Sequence, residues 1–181
     1  MRLLFLMLCL TISAMADSAE PQMVSKKVVL ITGCSRGIGL ATAELLANKG
    51  YVVYATAITL SDPPFCSSLH KNLYFKLLDV TDPFAVRTIV NEIIENEGCL
   101  DILINNAGFA LGGPLECLFM EEIIEQMNVN FFGAIRTCQE VLPHMRKQRS
   151  GHIINISSEQ GLYGLPYGSL YTSSKAALES F

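Results

Sequence analysis

Tyr171 and Lys175 stand four residues apart in Tyr171-Thr172-Ser173-Ser174-Lys175. On a helix, residues at that spacing share a face, so the lysine ammonium can lie beside the phenol and favour its ionised form. A free phenol has a pKa of about 10, and a neighbouring cation lowers it by roughly one to three units, into the range useful for proton transfer near neutral pH. A second chemical signal is Thr32-Gly33-Cys34-Ser35-Arg36-Gly37-Ile38-Gly39, directly after an apolar run. Glycine lets a backbone approach a pyrophosphate closely, and the unpaired N–H groups at a helix start favour the anion. Its spacing, G-x-x-x-G-x-G, departs from the common G-x-G-x-x-G dinucleotide fingerprint. Neither signal is decisive alone; their register along the chain carries the reading.

The elements that must position these residues alternate. Lys27 to Thr32, Tyr51 to Thr56, Leu73 to Leu78, Asp101 to Asn105 and His152 to Ile156 read as five buried strands. Between them lie helix-period segments from Gly37 to Lys49, from Thr81-Asp82-Pro83 to about Glu97, and from about Glu121 to His144. Leu170 to Phe181 begins a last helix. Gly50 and Gly98 are placed to stop two helices, and Asp82-Pro83 to open one. Leu60 to His70, with Pro63-Pro64 and several serines, reads as a loop or distorted helix. This order predicts an α/β fold with a doubly wound parallel sheet in three layers, incomplete at its C-terminal end. Met120, Met127 and Phe131 are assigned to core packing of the long helix.

Several further segments fall in register with the first two. Asp79 closes the third strand, Asn105-Asn106-Ala107-Gly108 follows the fourth, Asn128-Val129-Asn130 lies on the long helix, and Ser158 precedes Tyr171 by thirteen residues. Together they resemble the short-chain dehydrogenase/reductase family over about Lys26 to Phe181. The resemblance implies a catalytic set of Asn130, Ser158, Tyr171 and Lys175. Tyr171 would be the general acid in reduction and the general base in oxidation. Ser158 would donate to the substrate oxygen, and Lys175 would bond the nicotinamide ribose. Asn130 would hold a water that relays protons to Lys175. It also implies a cofactor seat of Gly33, Ser35, Arg36, Gly37, Ile38, Gly39, Asp79, Val80, Asn106, Ala107, Gly108, Tyr171 and Lys175, with Asp79 against the adenine ring.

Cofactor choice turns on charge near the adenosine 2′ position. The second strand ends Tyr54-Ala55-Thr56-Ala57-Ile58-Thr59, with no acid to accept from a ribose hydroxyl. Arg36 is placed to pair with a 2′-phosphate, so NADP(H) is expected over NAD(H). Relatives that read Y-A-T at this strand end often carry an arginine just after it, and this chain has none. The phrases Val53-Tyr54-Ala55-Thr56 and Gly112-Gly113-Pro114-Leu115-Glu116 look like the hydroxysteroid and retinol dehydrogenase branch. That likeness implies a lipophilic alcohol or carbonyl substrate. An extended-branch epimerase, which spaces its glycines G-x-x-G-x-x-G, is disfavoured.

Composition bounds the remainder. With 181 residues, 50% hydrophobic and 17% charged, the chain suits one well-buried domain. A net charge of -4 without a basic run excludes a broad nucleic-acid or acidic-membrane face. The six cysteines form no C-x-x-C pair, so no metal is expected and free thiols in a reducing compartment are. Residues 1–22 read as a secretory signal peptide cleavable after Ala16, or as an extension ahead of a start at Met23, leaving 23–181 as the dinucleotide-binding domain. The first reading implies export and the second a cytoplasmic protein; the apolar run is too short to span a bilayer. The chain ends six residues after Lys175, where the family continues and commonly forms dimers or tetramers. A catalytically silent dinucleotide- or partner-binding fragment is therefore the alternative to an active oxidoreductase.

Overall fold

A computed structural model describes residues 26–59 and 71–181. The expected leader and the segment from Leu60 to His70 lie outside the described residues. Five strands, β1 (Val28–Ile31), β2 (Val52–Ala57), β3 (Leu73–Leu77), β4 (Ile102–Asn105) and β5 (His152–Asn155), form one parallel sheet in the order β3-β2-β1-β4-β5. The helices are α1 (Gly37–Asn48), α2 (Pro83–Glu97), α3 (Met120–Met127), α4 (Gly133–Gln148) and α5 (Ser169–Ser180). Chain order reverses between β1 and β4, and such a switch point opens a crevice at the carboxyl ends of the strands.

β1 and β2 are buried along their whole length, which is why they read as unbroken apolar runs instead of alternating ones. On one face α1 presents Gly39, Ala43 and Ala47, small residues four apart. They let the helix lie close on Val29, Ile31, Val53 and Ala55. On the other face α2 and α4 bury Val86, Ile89, Val90 and Ile93 with Cys138, Val141 and Met145 against Leu30, Tyr54 and Leu103. The three layers expected from the sequence are present.

α2 begins and ends as its sequence requires. Asp82 Oδ1 accepts from the Phe84 N–H at 2.8 Å, Pro83 opens the first turn, and Gly98 closes the helix at φ 76°.

The long helix expected from Glu121 to His144 is instead two helices joined by a π turn over Asn128–Phe132. The Gly133 N–H reaches back to Asn128 O, and Arg136 adds guanidinium donors to Asn128 O (3.3 Å), Asn128 Oδ1 (2.7 Å) and Val80 O (3.4 Å). A Cβ on Gly133 would stand 2.7 Å from Val80 Cγ2, so the turn meets the end of β3 only because this residue is glycine. Met120 is not core, contrary to expectation: it is 60% exposed, while Met127 and Phe131 are half-buried. Met120 opens α3, and burial on that helix begins only at Gln126, where the chain comes over the sheet.

Candidate active site and cofactor cleft

The turn after β1 is held from two sides. The Cys34 N–H donates to Thr56 O at 2.7 Å, and Asn106 Nδ2 donates to Thr32 O and Gly33 O at 3.0 and 2.8 Å. Thr32 Oγ1 accepts from the Asn106 and Ala107 N–H groups, both at 3.0 Å. The glycine turn and the Asn106-Ala107-Gly108 segment therefore brace each other across the switch point. Gly33 has φ 72°, and a Cβ there would stand 2.7 Å from Ala107 Cα. A Cβ on Gly39 would fall 2.4 Å from both Asn106 Nδ2 and Gly33 O. The Cys34 thiol is buried and pushed up to about 12, so it is no nucleophile.

α1 starts without a capping side chain and without an acid in its first turn, so its leading N–H groups and positive end remain open. Beside this start lies a cleft of about 450 Å³. Its walls are Gly33, Ser35 and Arg36 from the turn, Ala57 and Ile58 from the end of β2, and Leu78, Asp79 and Val80 from the end of β3. Asn106, Ala107, Gly108 and Phe109 follow from β4, with Glu125 and Val129 from the helix above. Eight of the predicted cofactor residues are thus brought together. Gly37, Ile38, Gly39, Tyr171 and Lys175 are not among the walls: Gly39 is buried beneath them, Gly37 and Ile38 are exposed on the first turn of α1, and Tyr171 and Lys175 stand on α5. A glycine turn with an arginine beside the open start of α1 fits the pyrophosphate of a dinucleotide. Asp79 is oriented by its own turn, Oδ1 accepting from the Thr81 N–H (2.8 Å) and hydroxyl (2.7 Å).

The catalytic candidates gather where β5 ends. Lys175 is buried on α5 and donates to Ile156 O at 2.7 Å, with its Nζ 5.8 Å from the centroid of the Tyr171 ring. Burial holds this ammonium below the usual lysine value. Asn130, in the middle of the π turn, is buried and clamps Phe109: Oδ1 accepts from the Phe109 N–H at 3.0 Å and Nδ2 donates to Phe109 O at 2.8 Å. Its second amide proton goes to Ser174 Oγ at 3.0 Å, and Ser174 donates to Tyr171 O at 2.8 Å. A Cβ on Gly108 would stand 3.1 Å from Asn130 Oδ1 and 3.7 Å from Lys175 Nζ, so only a glycine leaves the space between those two groups open. Ser158 closes β5 and accepts from the Gln160 N–H at 3.2 Å, which starts a short 3-10 turn (Glu159–Gly161) packed on α5. Among the described residues, Ser158 and the Tyr171 phenol share no hydrogen bond.

Three participants were missed in the sequence reading: Thr32, which receives the Asn106 segment; Phe109, whose backbone Asn130 grips; and Ser174, which links Asn130 to Tyr171. Thr32 and Ser174 lie inside recognised motifs, so their hydroxyls were visible as types but their partners were not. No helix among the described residues is long and apolar enough to cross a membrane.

Against known proteins, the family model described as short chain dehydrogenase matches residues 27–181. The chain is 44% identical to 3-ketodihydrosphingosine reductase of Bacteroides thetaiotaomicron, over 86% of this chain and 55% of that protein. It is 40% identical to human retinol dehydrogenase 8, over 86% and 51% respectively. A solved structure of ElxO with NADP bound superposes with a TM-score of 0.80 at 39% identity, covering 86% of this chain and 64% of that one. The chain spans about half the length of the curated relatives it matches.

Proposed function

The chain belongs to the short-chain dehydrogenase family, and from that premise we propose that it binds NADP(H) and interconverts an alcohol and a carbonyl by hydride transfer, with Tyr171 exchanging the proton. The observation that carries this reading is one convergence. An uncapped α1 start and a glycine-walled cleft lie at the same sheet edge as the Tyr171, Lys175 and Asn130 corner. Gly33, Ser35 and Arg36 would hold the phosphates, Arg36 supplying the charge for a 2′-phosphate. Asp79 and Val80 would face the adenine, and Asn106 to Gly108 with Lys175 would hold the nicotinamide end. When bound, the nicotinamide supplies or accepts the hydride.

The chain's own groups supply the rest. Lys175 lies over the Tyr171 ring, its Nζ 5.8 Å from the centroid, and so puts a cation beside the proposed proton-exchanging group. Because burial already weakens the hold of Lys175 on its own proton, it can pass one onward. Asn130 has committed both amide protons, so a relaying water there would rest on the remaining lone pair of Oδ1, in the space that Gly108 leaves. The Ser158 oxygen accepts from Gln160, which leaves its O–H free to donate to a substrate oxygen and stabilise developing charge.

A lipophilic substrate is supported by the names of the relatives and by Phe109 in the cleft wall. Self-association into a dimer or tetramer is supported by the exposed apolar residues Phe119, Met120, Ile124 and Phe132. The free thiols of Cys34, Cys99, Cys117 and Cys138 support a reducing, cytoplasmic setting.

The test is an NADPH titration by fluorescence, paired with reduction of a lipophilic ketone. Tyr171→Phe is expected to leave NADPH affinity within twofold and to lower turnover by about 10³-fold. Binding without turnover in the unmodified protein would favour the second reading, a dinucleotide-binding module spanning about half of its relatives. Absence of binding would sink both.

A further inference from the structure

Gln126 is a buried side chain near the catalytic corner that nothing above uses. It is completely buried, and neither amide atom meets a protein partner. The buried polar residues around it behave differently: Asn130 makes three side-chain hydrogen bonds, and Ser174 bridges Asn130 to Tyr171. A buried amide without partners is costly, and a methionine of nearly the same volume would avoid that cost.

Its position is informative. Gln126 precedes Asn130 by one helical turn, so the two project from the same face. That face meets α5, since α3 packs on α5 and Asn130 reaches Ser174 there. Gln126 therefore lies in the seam leading to the first turn of α5, the turn that carries Tyr171. A buried amide with no protein partner, beside the polar Asn130–Ser174 pair, satisfies the polar, enclosed conditions under which internal water is held.

We propose that Gln126 is a positioning residue: its amide holds an internal water molecule in the α3–α5 seam, extending the Asn130–Ser174 chain and fixing the turn that carries Tyr171. The catalytic part of this inference rests on the assignment of Tyr171 and Lys175 as the reacting pair; the structural part does not.

The test compares Gln126→Met with the unmodified protein. If Gln126 is water-bridged, the variant gains no thermal stability. Backbone amides of residues 171–174 then exchange with deuterium about tenfold faster, while NADPH affinity stays within twofold. Turnover falls about tenfold at unchanged KM, and the pH profile of turnover shifts. An amide with no partner predicts the opposite, a midpoint raised by about 2–4 °C with unchanged exchange, and either of those results overturns the proposal. Should the variant fail to fold, a high-resolution crystal structure of the unmodified protein decides: an ordered water bonded to the Gln126 amide supports it, and a dry seam overturns it. Failure of the oxidoreductase reading would appear separately, as unchanged turnover in Tyr171→Phe, and would leave the exchange result standing.

Discussion

The two ends of the parallel sheet are finished in opposite ways. At the amino-terminal ends of the strands, polar groups are closed by other groups of the chain. Asp101 accepts from Lys27 Nζ at 2.8 Å and from the Val28 N–H at 2.9 Å. Gln148 pairs with both the N–H and the C=O of Leu100. The His152 N–H donates to Asp101 O. At the carboxyl ends, the start of α1 has no cap, the Tyr171 phenol has no hydrogen-bond partner among the described residues, and glycines stand where side chains would fill the space. A closed end contributes stability; an open end holds unspent hydrogen-bonding capacity for a ligand. Substitutions at the two ends should therefore separate cleanly, those at one end changing stability alone and those at the other changing binding.

The largest effect is expected at the open end. In Gly39→Val the new side chain meets Gly33 O, a backbone atom that cannot swing away. Overpacking of this kind costs about 3 kcal/mol, and it displaces the turn that would seat the phosphates. NADPH affinity should fall by at least about 100-fold, roughly 2.7 kcal/mol, as read by fluorescence titration. An affinity within twofold of the unmodified protein would show that the turn is not the anion seat. At the closed end, Asp101→Ala removes three hydrogen bonds to a charged acceptor, from Lys27, the Val28 N–H and the Cys99 thiol, and should cost about 2 kcal/mol in urea denaturation. NADPH affinity should not change, and a tenfold loss of it would break the separation between the two ends.

The same division explains what was legible in the sequence. β1 and β2 could be read because strands buried on both faces are continuous apolar runs, and α2 because Asp82, Pro83 and Gly98 mark its limits locally. The glycine turn and the Tyr171/Lys175 spacing were visible because the open end works through backbone conformation and helical pitch. The π turn was not, since Asn128 to Phe132 contains no helix breaker. It exists because Arg136, Val80 and Gly133 meet there from distant positions. The commitment of the Asn130 amide to Phe109 and Ser174, and the exposure of Met120, are likewise set by tertiary contacts that no local pattern encodes.

A smaller effect tests cofactor choice within the open end. The Arg36 side chain is exposed and makes no hydrogen bond among the described residues, so Arg36→Ala should leave stability unchanged. NADPH binding should weaken about tenfold, roughly 1.4 kcal/mol, with NADH binding unaffected. Equal loss for both cofactors would mean that Arg36 serves the shared pyrophosphate and not the 2′-phosphate.

The smallest effect is a pH dependence confined to the closed end. Burial pushes the Asp101 carboxyl up. The hydrogen bond and charge of Lys27 and the Val28 N–H more than offset this, leaving its proton affinity below the usual carboxylate range. A carboxyl that holds its proton less tightly folded than unfolded stabilises the fold fully above the unfolded value of about 3.9, and that contribution disappears as pH falls through the folded value. The stability gap between the unmodified protein and Asp101→Asn should therefore be flat near neutrality and narrow below about pH 4. Lys27 is half-exposed, so added salt should narrow it as well. Denaturant midpoints from pH 2 to 8 measure this directly. A gap that persisted undiminished at the acid limit would mean that Asp101 acts through packing and not charge, and the closed end would then owe its stability to something other than its ion pair.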